Sequence, residues 1–297
     1  MPAIELARAD LPLLESEGGM RRGGAKKQDA ALPAKKCIFS LRNGAAPRTN
    51  KAESEIKMAA NDMDQLGDVR AQIDAIDRQL FDLLVERSHW VARVAALKHG
   101  DLTGLPLRPE REARQLMQLR AWHRASDAPV PFDSIIRIWR EIIGAGIAQQ
   151  GGMTVIAQAQ HLAGSKEYFG AACHYHSVST AAEALTRADR DQAIAVIAVS
   201  DFANWYSYLS DHGQFCARLS WVGYDDLIAY APLPIQKIDP SEGFCHLMVV
   251  DRSTLDHNMT VLTDPMENGK ILVEISAAHD LSQMAQARVI GGYANFS

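Results

Sequence analysis

The sequence predicts a multidomain chain: an all-helical segment over 63–150, then an α/β segment over 151–297, behind an N-terminal extension over 1–62. Three observations carry this reading. Apolar residues from Leu66 to Val94 recur at three- and four-residue steps, the period of an amphipathic helix. After Gly151-Gly152 the pattern becomes short apolar runs alternating with helical stretches, as in an α/β layer. Residues 1–62 carry neither period.

Bulk properties narrow the class. A length of 297 residues suits two domains, and 47% hydrophobic with 23% charged residues is ordinary for a globular protein. A net charge of -5 argues against nucleic acid as a partner, although a local basic pocket stays open. Cys37, Cys173, Cys216 and Cys245 are widely spaced with no CxxC pair, so reduced thiols and a cytoplasmic location are expected. No apolar run approaches the ~20 residues that cross a bilayer, so no membrane partner is expected.

The extension mixes basic, Gly and Pro residues, as in Met20 to Lys27 and Ala46 to Lys51. It offers too little apolar surface to offset chain ordering, and disorder is the expectation. No early apolar stretch marks a secretory signal, and Glu5, Asp10, Glu15 and Glu17 speak against an organelle leader. A start of translation at Met58 or Met63 is an open alternative.

The first helix is expected from about Met63 to Lys98, striped by Leu66, Val69, Ile73, Ile76, Leu80, Leu83, Leu84, Val91 and Val94. A helix of this length needs a partner for its stripe. Three cations sit on it. At ~100° per residue, Arg87 and Lys98 fall within ~20° of one face. Arg70 lies ~100° around and ~25 Å away from Arg87, out of reach of the same pocket in its own chain. Two cations on one face ask for a small polyanion, and the third asks for an antiparallel partner helix. Gly100, Gly104, Pro106 and Pro109 end the helix. A second helix is expected over 110–123, and a third over 132–150 burying Ile135, Ile138, Trp139, Ile142, Ile143 and Ile147.

The block Leu66-Gly67-Asp68-Val69-Arg70, Ile73 to Asp77, Leu83-Leu84-Val85-Glu86-Arg87 and Lys98 resembles the AroQ-type chorismate mutase family. The likeness runs on through Pro109-Glu110-Arg111-Glu112 and Ile138-Trp139-Arg140-Glu141-Ile142-Ile143 to Gln150, with one extra loop residue. It implies an all-α, intertwined homodimer that converts chorismate to prephenate by a Claisen rearrangement in phenylalanine and tyrosine biosynthesis, without cofactor or metal. Carried over residue by residue, the resemblance assigns catalysis to Arg87 (a substrate carboxylate) and to Lys98 and Gln150 (the ether oxygen). It assigns substrate binding to Arg70 from the partner chain, Arg111, and Glu112, which accepts the ring hydroxyl. Two positions depart: Arg108 stands where the family often has Asp, and Gly146 where it often has Ser. These keep open isochorismate-pyruvate lyase; a third reading is a non-catalytic metabolite-binding regulator retaining the fold, which would be free to lose Lys98 or Gln150.

In the second half, strands are expected at 153–157, 173–178, 193–199, 227–230, 246–250 and 270–275, with helices at 163–169, 179–188 and 202–209. Glu167-Tyr168-Phe169-Gly170, Val178 to Leu185 and Ala193 to Ser200 faintly resemble a prephenate dehydratase, implying a degenerate periplasmic-binding-protein-like fold. The Gly-Pro-x-Gly opening is replaced by Ala157-Gln158-Ala159-Gln160, and no Thr-Arg-Phe step is present, since Thr186-Arg187 is followed by Ala188 on an expected helix. A sensor or scaffold without dehydratase activity is therefore expected. His174 and His176 alternate on one strand face, but with no further ligand at metal spacing they read as ordinary histidines. Asp264 to Gly269 reads as a turn.

Overall fold

The structure is a computed structural model and describes residues 49–97, 105–127, 129–232, 243–284 and 287–294. Compact packing divides the chain into 1–67 and 68–297, with the boundary inside the first helix. The part of 1–67 that is described is helical from residue 49 onward, with Leu66 exposed.

Helix α1 spans Thr49–Leu97, 49 residues, and so starts fourteen residues before the expected Met63. The stretch Ala52-Glu53-Ser54-Glu55-Ile56-Lys57 is made of adequate helix formers, which lets the helix extend without an apolar stripe. Within 68–297 most of the expected stripe lies bare: Val69, Ile73, Ile76, Leu80, Leu83 and Leu84 are 45–61% exposed. Only the last turns rest on other elements, with Arg87, Ser88, Val91 and Val94 partly covered.

Helix α2 spans Pro109–Ala125, with Pro109 in its first turn and Glu110 and Glu112 near its positive end. Helix α3 spans Phe132–Gln149 and buries Ile136, Arg140, Ile143, Gly144, Gly146 and Ile147. Two details differ from expectation. Ile138 is 53% exposed, whereas the charged Arg140 is 1% exposed. The cause is a second neighbour that α3 has besides the other helices.

That neighbour is the α/β layer. Strand β1 (Thr154–Gln158), α4 (Leu162–Phe169), β2 (His174–Val178), α5 (Ala181–Asp191), β3 (Ile194–Ala198) and the short α6 (Phe202–Trp205) come in order. Then come β4 (Gln214–Arg218), β5 (Leu227–Ala231), β6 (Phe244–Asp251), β7 (Thr260–Val261), β8 (Lys270–Ser276) and β9 (Arg288–Ala294). They form one mixed nine-stranded sheet in the order β2-β1-β3-β5-β4-β9-β6-β8-β7. β1 is parallel to β2 and β3, while β3–β5, β5–β4, β9–β6, β6–β8 and β8–β7 are antiparallel. All six expected strands are present, and β3 is buried along its whole length, as a central strand should be. Expected helices at 163–169 and 179–188 appear as α4 and α5, and 202–209 is split between α6 and a 3-10 turn at Tyr206–Tyr208.

Strands β4, β7 and β9 are not among the expected ones. β9 reads Arg-Val-Ile-Gly-Gly-Tyr-Ala, and interior glycines argue against a strand. For β9 packing supplies the reason: a Cβ at Gly291 would come within 2.2 Å of the Phe215 carbonyl, so only glycine lets β9 lie beside β4.

Residues 68–297 form one compact unit rather than two. Leu116, Leu119, Ile136, Ile143 and Ile147 of the helices share a core with Val155, Ala157, Val196 and Ala229 of the sheet. The switch from helix to strand at 150–151 changes the element type without interrupting the packing. At the seam Glu141 accepts the Ala171 amide (3.0 Å), Arg137 pairs with Glu167, and Gly144 lies against Phe169 and Gly170. Among the described residues no helix is long and apolar enough to cross a membrane, and no cluster of three or more His, Cys, Asp or Glu is arranged to hold a metal. His174 and His176 are exposed on β2, at the sheet's edge.

Two glycines two residues apart on α3 separate the neighbours of that helix. A Cβ at Gly144 would meet the Phe169 carbonyl at 2.3 Å, a backbone atom that cannot swing away. Gly144→Ala is expected to destabilise the protein by about 1–3 kcal/mol, despite the better helix propensity of alanine. A Cβ at Gly146 would sit 3.6 Å from Arg87 Nη1 and 3.7 Å from Val91, in ordinary contact. Gly146→Ala is expected to stabilise by up to about 1 kcal/mol. Urea unfolding of both variants checks the pair; equal shifts of the same sign would contradict it.

Candidate active site

The end of α1, the start of α2 and the end of α3 converge on a cleft of about 200 Å³. From α1 come Arg87, Trp90, Val91 and Val94. Arg108, Arg111, Glu112 and Gln115 come from the start of α2, and Ile143, Gly146, Ile147 and Gln150 from α3. The local sequence accounts for this. Pro109 opens α2, whose first turn brings Arg111 and Glu112 to the cleft, while Gly146 leaves room beside Arg87.

Four of the six residues proposed from the sequence therefore meet: Arg87, Arg111, Glu112 and Gln150. Arg70 does not. It is exposed on α1 and absent from the lining, in keeping with the spacing argument. Lys98 lies outside the described residues.

The electrostatics are those of an anion site. Arg87 is half-buried, and its Nη1 donates to the Ile142 carbonyl (3.4 Å). Burial first, and the nearby Arg111 second, hold its pKa below the usual guanidinium value. Two like charges in a partly desolvated cleft repel, and a bound dianion relieves that repulsion. Among the described residues no carboxylate forms an ion pair with Arg87 or Arg111.

The Gln150 amide caps α3 and donates Nε2 to the Gly146 carbonyl (2.9 Å), which places it at the cleft. Arg108 ties down the entry loop, donating Nη1 to the carbonyls of Leu105 and Leu107 (both 2.8 Å). Glu112 is 9% exposed; its Oε2 accepts from Arg140 Nη1 (3.1 Å), and its Oε1 lies 3.5 Å from the Arg108 amide. Burial raises the Glu112 pKa, and Arg140 pulls against that rise.

Sequence reasoning missed Arg140 as a partner of Glu112. Its position on the helix gave no warning, since burial comes from an element later in the chain. Trp90 and Gln115 also line the cleft unannounced. Their spacing does carry a signal: Trp90 comes three residues after Arg87 and Gln115 four after Arg111, so each shares a helix face with its arginine.

The cleft where the three helices meet is lined by Arg87, Arg108 and Arg111, a charge that suits a small polyanion. Residues 69–151 match the model of the chorismate mutase type II family. The chain is also 30% identical, over 139 residues, to a bifunctional chorismate mutase/prephenate dehydratase from Aquifex aeolicus (strain VF5). That match covers 44% of this chain and 37% of the relative, so the chain spans just over a third of the length of that protein. No solved structure matches significantly.

Proposed function

We propose that the protein is a chorismate mutase, an isomerase converting chorismate to prephenate, and that it works as an intertwined homodimer. The observation that carries this is the convergence of Arg87, Arg111, Glu112 and Gln150 from three helices on one cleft. Chorismate is a dicarboxylate whose two ends must be brought together in a chair-like transition state. Guanidinium forks bind carboxylates bidentately and confine the flexible enolpyruvyl arm. No proton transfer or nucleophile is required, so positioning and electrostatics suffice. Negative charge grows on the ether oxygen as the C–O bond breaks. A donor there, the role proposed for Gln150 and Lys98, stabilises the transition state more than the ground state.

The bare stripe of α1 supports the dimer. Val69, Ile73, Ile76, Leu80 and Leu83 form a continuous apolar face that a second copy would cover, bringing its Arg70 to this cleft. The α/β layer, with its parallel β2-β1-β3 core, is proposed as a non-catalytic relative of the dehydratase fold.

Arg108 gives the lyase reading its footing, because it adds a third guanidinium to the cleft. Product analysis separates the two. Incubation with chorismate should give prephenate, while isochorismate should give no salicylate and pyruvate. Lys98→Ala should cut the rate about 10²–10³-fold, the typical cost of losing one donor to a developing oxyanion. A near-normal rate in that variant would remove Lys98 from the site.

A further inference from the structure

Glu112 lines the cleft, yet one of its oxygens is engaged from behind. Arg140, on α3, reaches Glu112 Oε2 at 3.1 Å and is 1% exposed, but it is not part of the cleft wall. The guanidinium lies over the ring of Tyr168, on α4, with 3.7 Å from Cζ to the ring centroid. Its Nε has no hydrogen-bond partner among the described residues. A desolvated cation is thus held by two groups, a cleft carboxylate on one side and an aromatic face of the α/β layer on the other.

We infer that Arg140 is a positioning residue for Glu112, and that through Tyr168 the α/β layer is a working part of the cleft rather than an appendage. This rests on the mutase reading above. Glu112 is the stronger acceptor for a substrate hydroxyl when it is ionised and aimed outward. Arg140 serves both needs by holding Oε2 and leaving Oε1 at the start of α2.

The other groups facing Glu112 do not supply that charge. Tyr168 of α4 has its pKa pushed up to about 12 by burial, and Cys173 before β2 is pushed up to about 11 by burial. Burial also raises Cys216 of β4, so all three are neutral at ordinary pH. From its own helix start Glu112 faces the Arg108 amide. Arg87, Arg108 and Arg111 line the open side of the cleft, where substrate carboxylates compete for them. Arg140 is the cation that substrate does not reach.

The test is the pH profile of kcat/KM for chorismate, measured on the full chain. The wild type should lose activity in acid as Glu112 protonates. Without Arg140 the buried carboxyl protonates at higher pH, so Arg140→Met should move that acid limb upward by about one to three pH units. Arg140→Lys, which keeps the charge, should leave the limb near its wild-type position. Tyr168→Leu should shift the limb upward, and phenylalanine at the same position should restore it. In a Glu112→Gln background the limb should vanish, and adding Arg140→Met should change nothing further.

A purely structural Arg140 would instead lower activity equally at all pH, additively with Glu112→Gln; that result, or an unmoved limb, overturns the inference. If Arg140→Met fails to fold by circular dichroism, the Tyr168 pair carries the same test. No turnover of chorismate by the wild type would sink the mutase reading itself. Turnover with an unmoved limb sinks only the role of Arg140.

Discussion

Arg87→Ala is expected to lower kcat/KM for chorismate by about 10²–10³-fold while leaving helical content and unfolding midpoint nearly unchanged. The size reflects the loss of a charge-assisted, bidentate contact in a half-desolvated cleft, typically worth a few kcal/mol. The fold is spared because the guanidinium makes one long bond to the Ile142 carbonyl and has no carboxylate partner among the described residues to leave stranded. Burial, and then the nearby Arg111, already disfavour its charge in the empty protein, so no favourable ion pair is lost with it. Arg87→Lys should recover only part of the loss, since an ammonium lacks the planar fork. Steady-state kinetics beside thermal unfolding decide the matter. A large fall in stability matching the fall in activity would make Arg87 a structural residue instead.

The second large effect is a recovery rather than a loss. If each cleft is completed by Arg70 of the other chain, Arg70→Ala and Arg87→Ala homodimers should both be inactive. A heterodimer of the two then carries one doubly damaged and one intact site, so it should show about half of wild-type activity. The chains have to be refolded together, because an interface made by the α1 stripe will not exchange quickly. Verified heterodimers without activity would place Arg70 outside the site and leave the bare face of α1 to another occupant.

Much of the cleft was legible because its residues obey helical arithmetic. The place of Arg87 near the end of α1, the Pro109-Glu110-Arg111-Glu112 entry to α2 and the end of α3 at Gln150 are local features, and local periodicity sets which face a side chain occupies. The same arithmetic placed Arg70 out of reach of the Arg87 cleft, and the structure keeps it exposed and away from the lining. The strands rich in Val, Ile and Ala were equally plain. β9 was not, since a seven-residue run with two glycines becomes a strand only where Gly291 lies close against the Phe215 backbone of β4.

Glu167-Tyr168-Phe169-Gly170 shows the limit most clearly. In the sequence it hinted at a dehydratase lobe. In the fold it is the surface on which α3 docks, with Glu167 pairing Arg137, Tyr168 beneath Arg140, and Phe169 against Gly144.

By itself, then, the sequence determined the helices, six of the strands and the helix positions of Arg87, Arg111 and Gln150, because each rests on spacing along one element. Only the tertiary structure decided that the helical and α/β segments share a core, and that Arg140 is buried between Glu112 and Tyr168. Such contacts join residues 28 positions apart in both directions along the chain, and no local period encodes them.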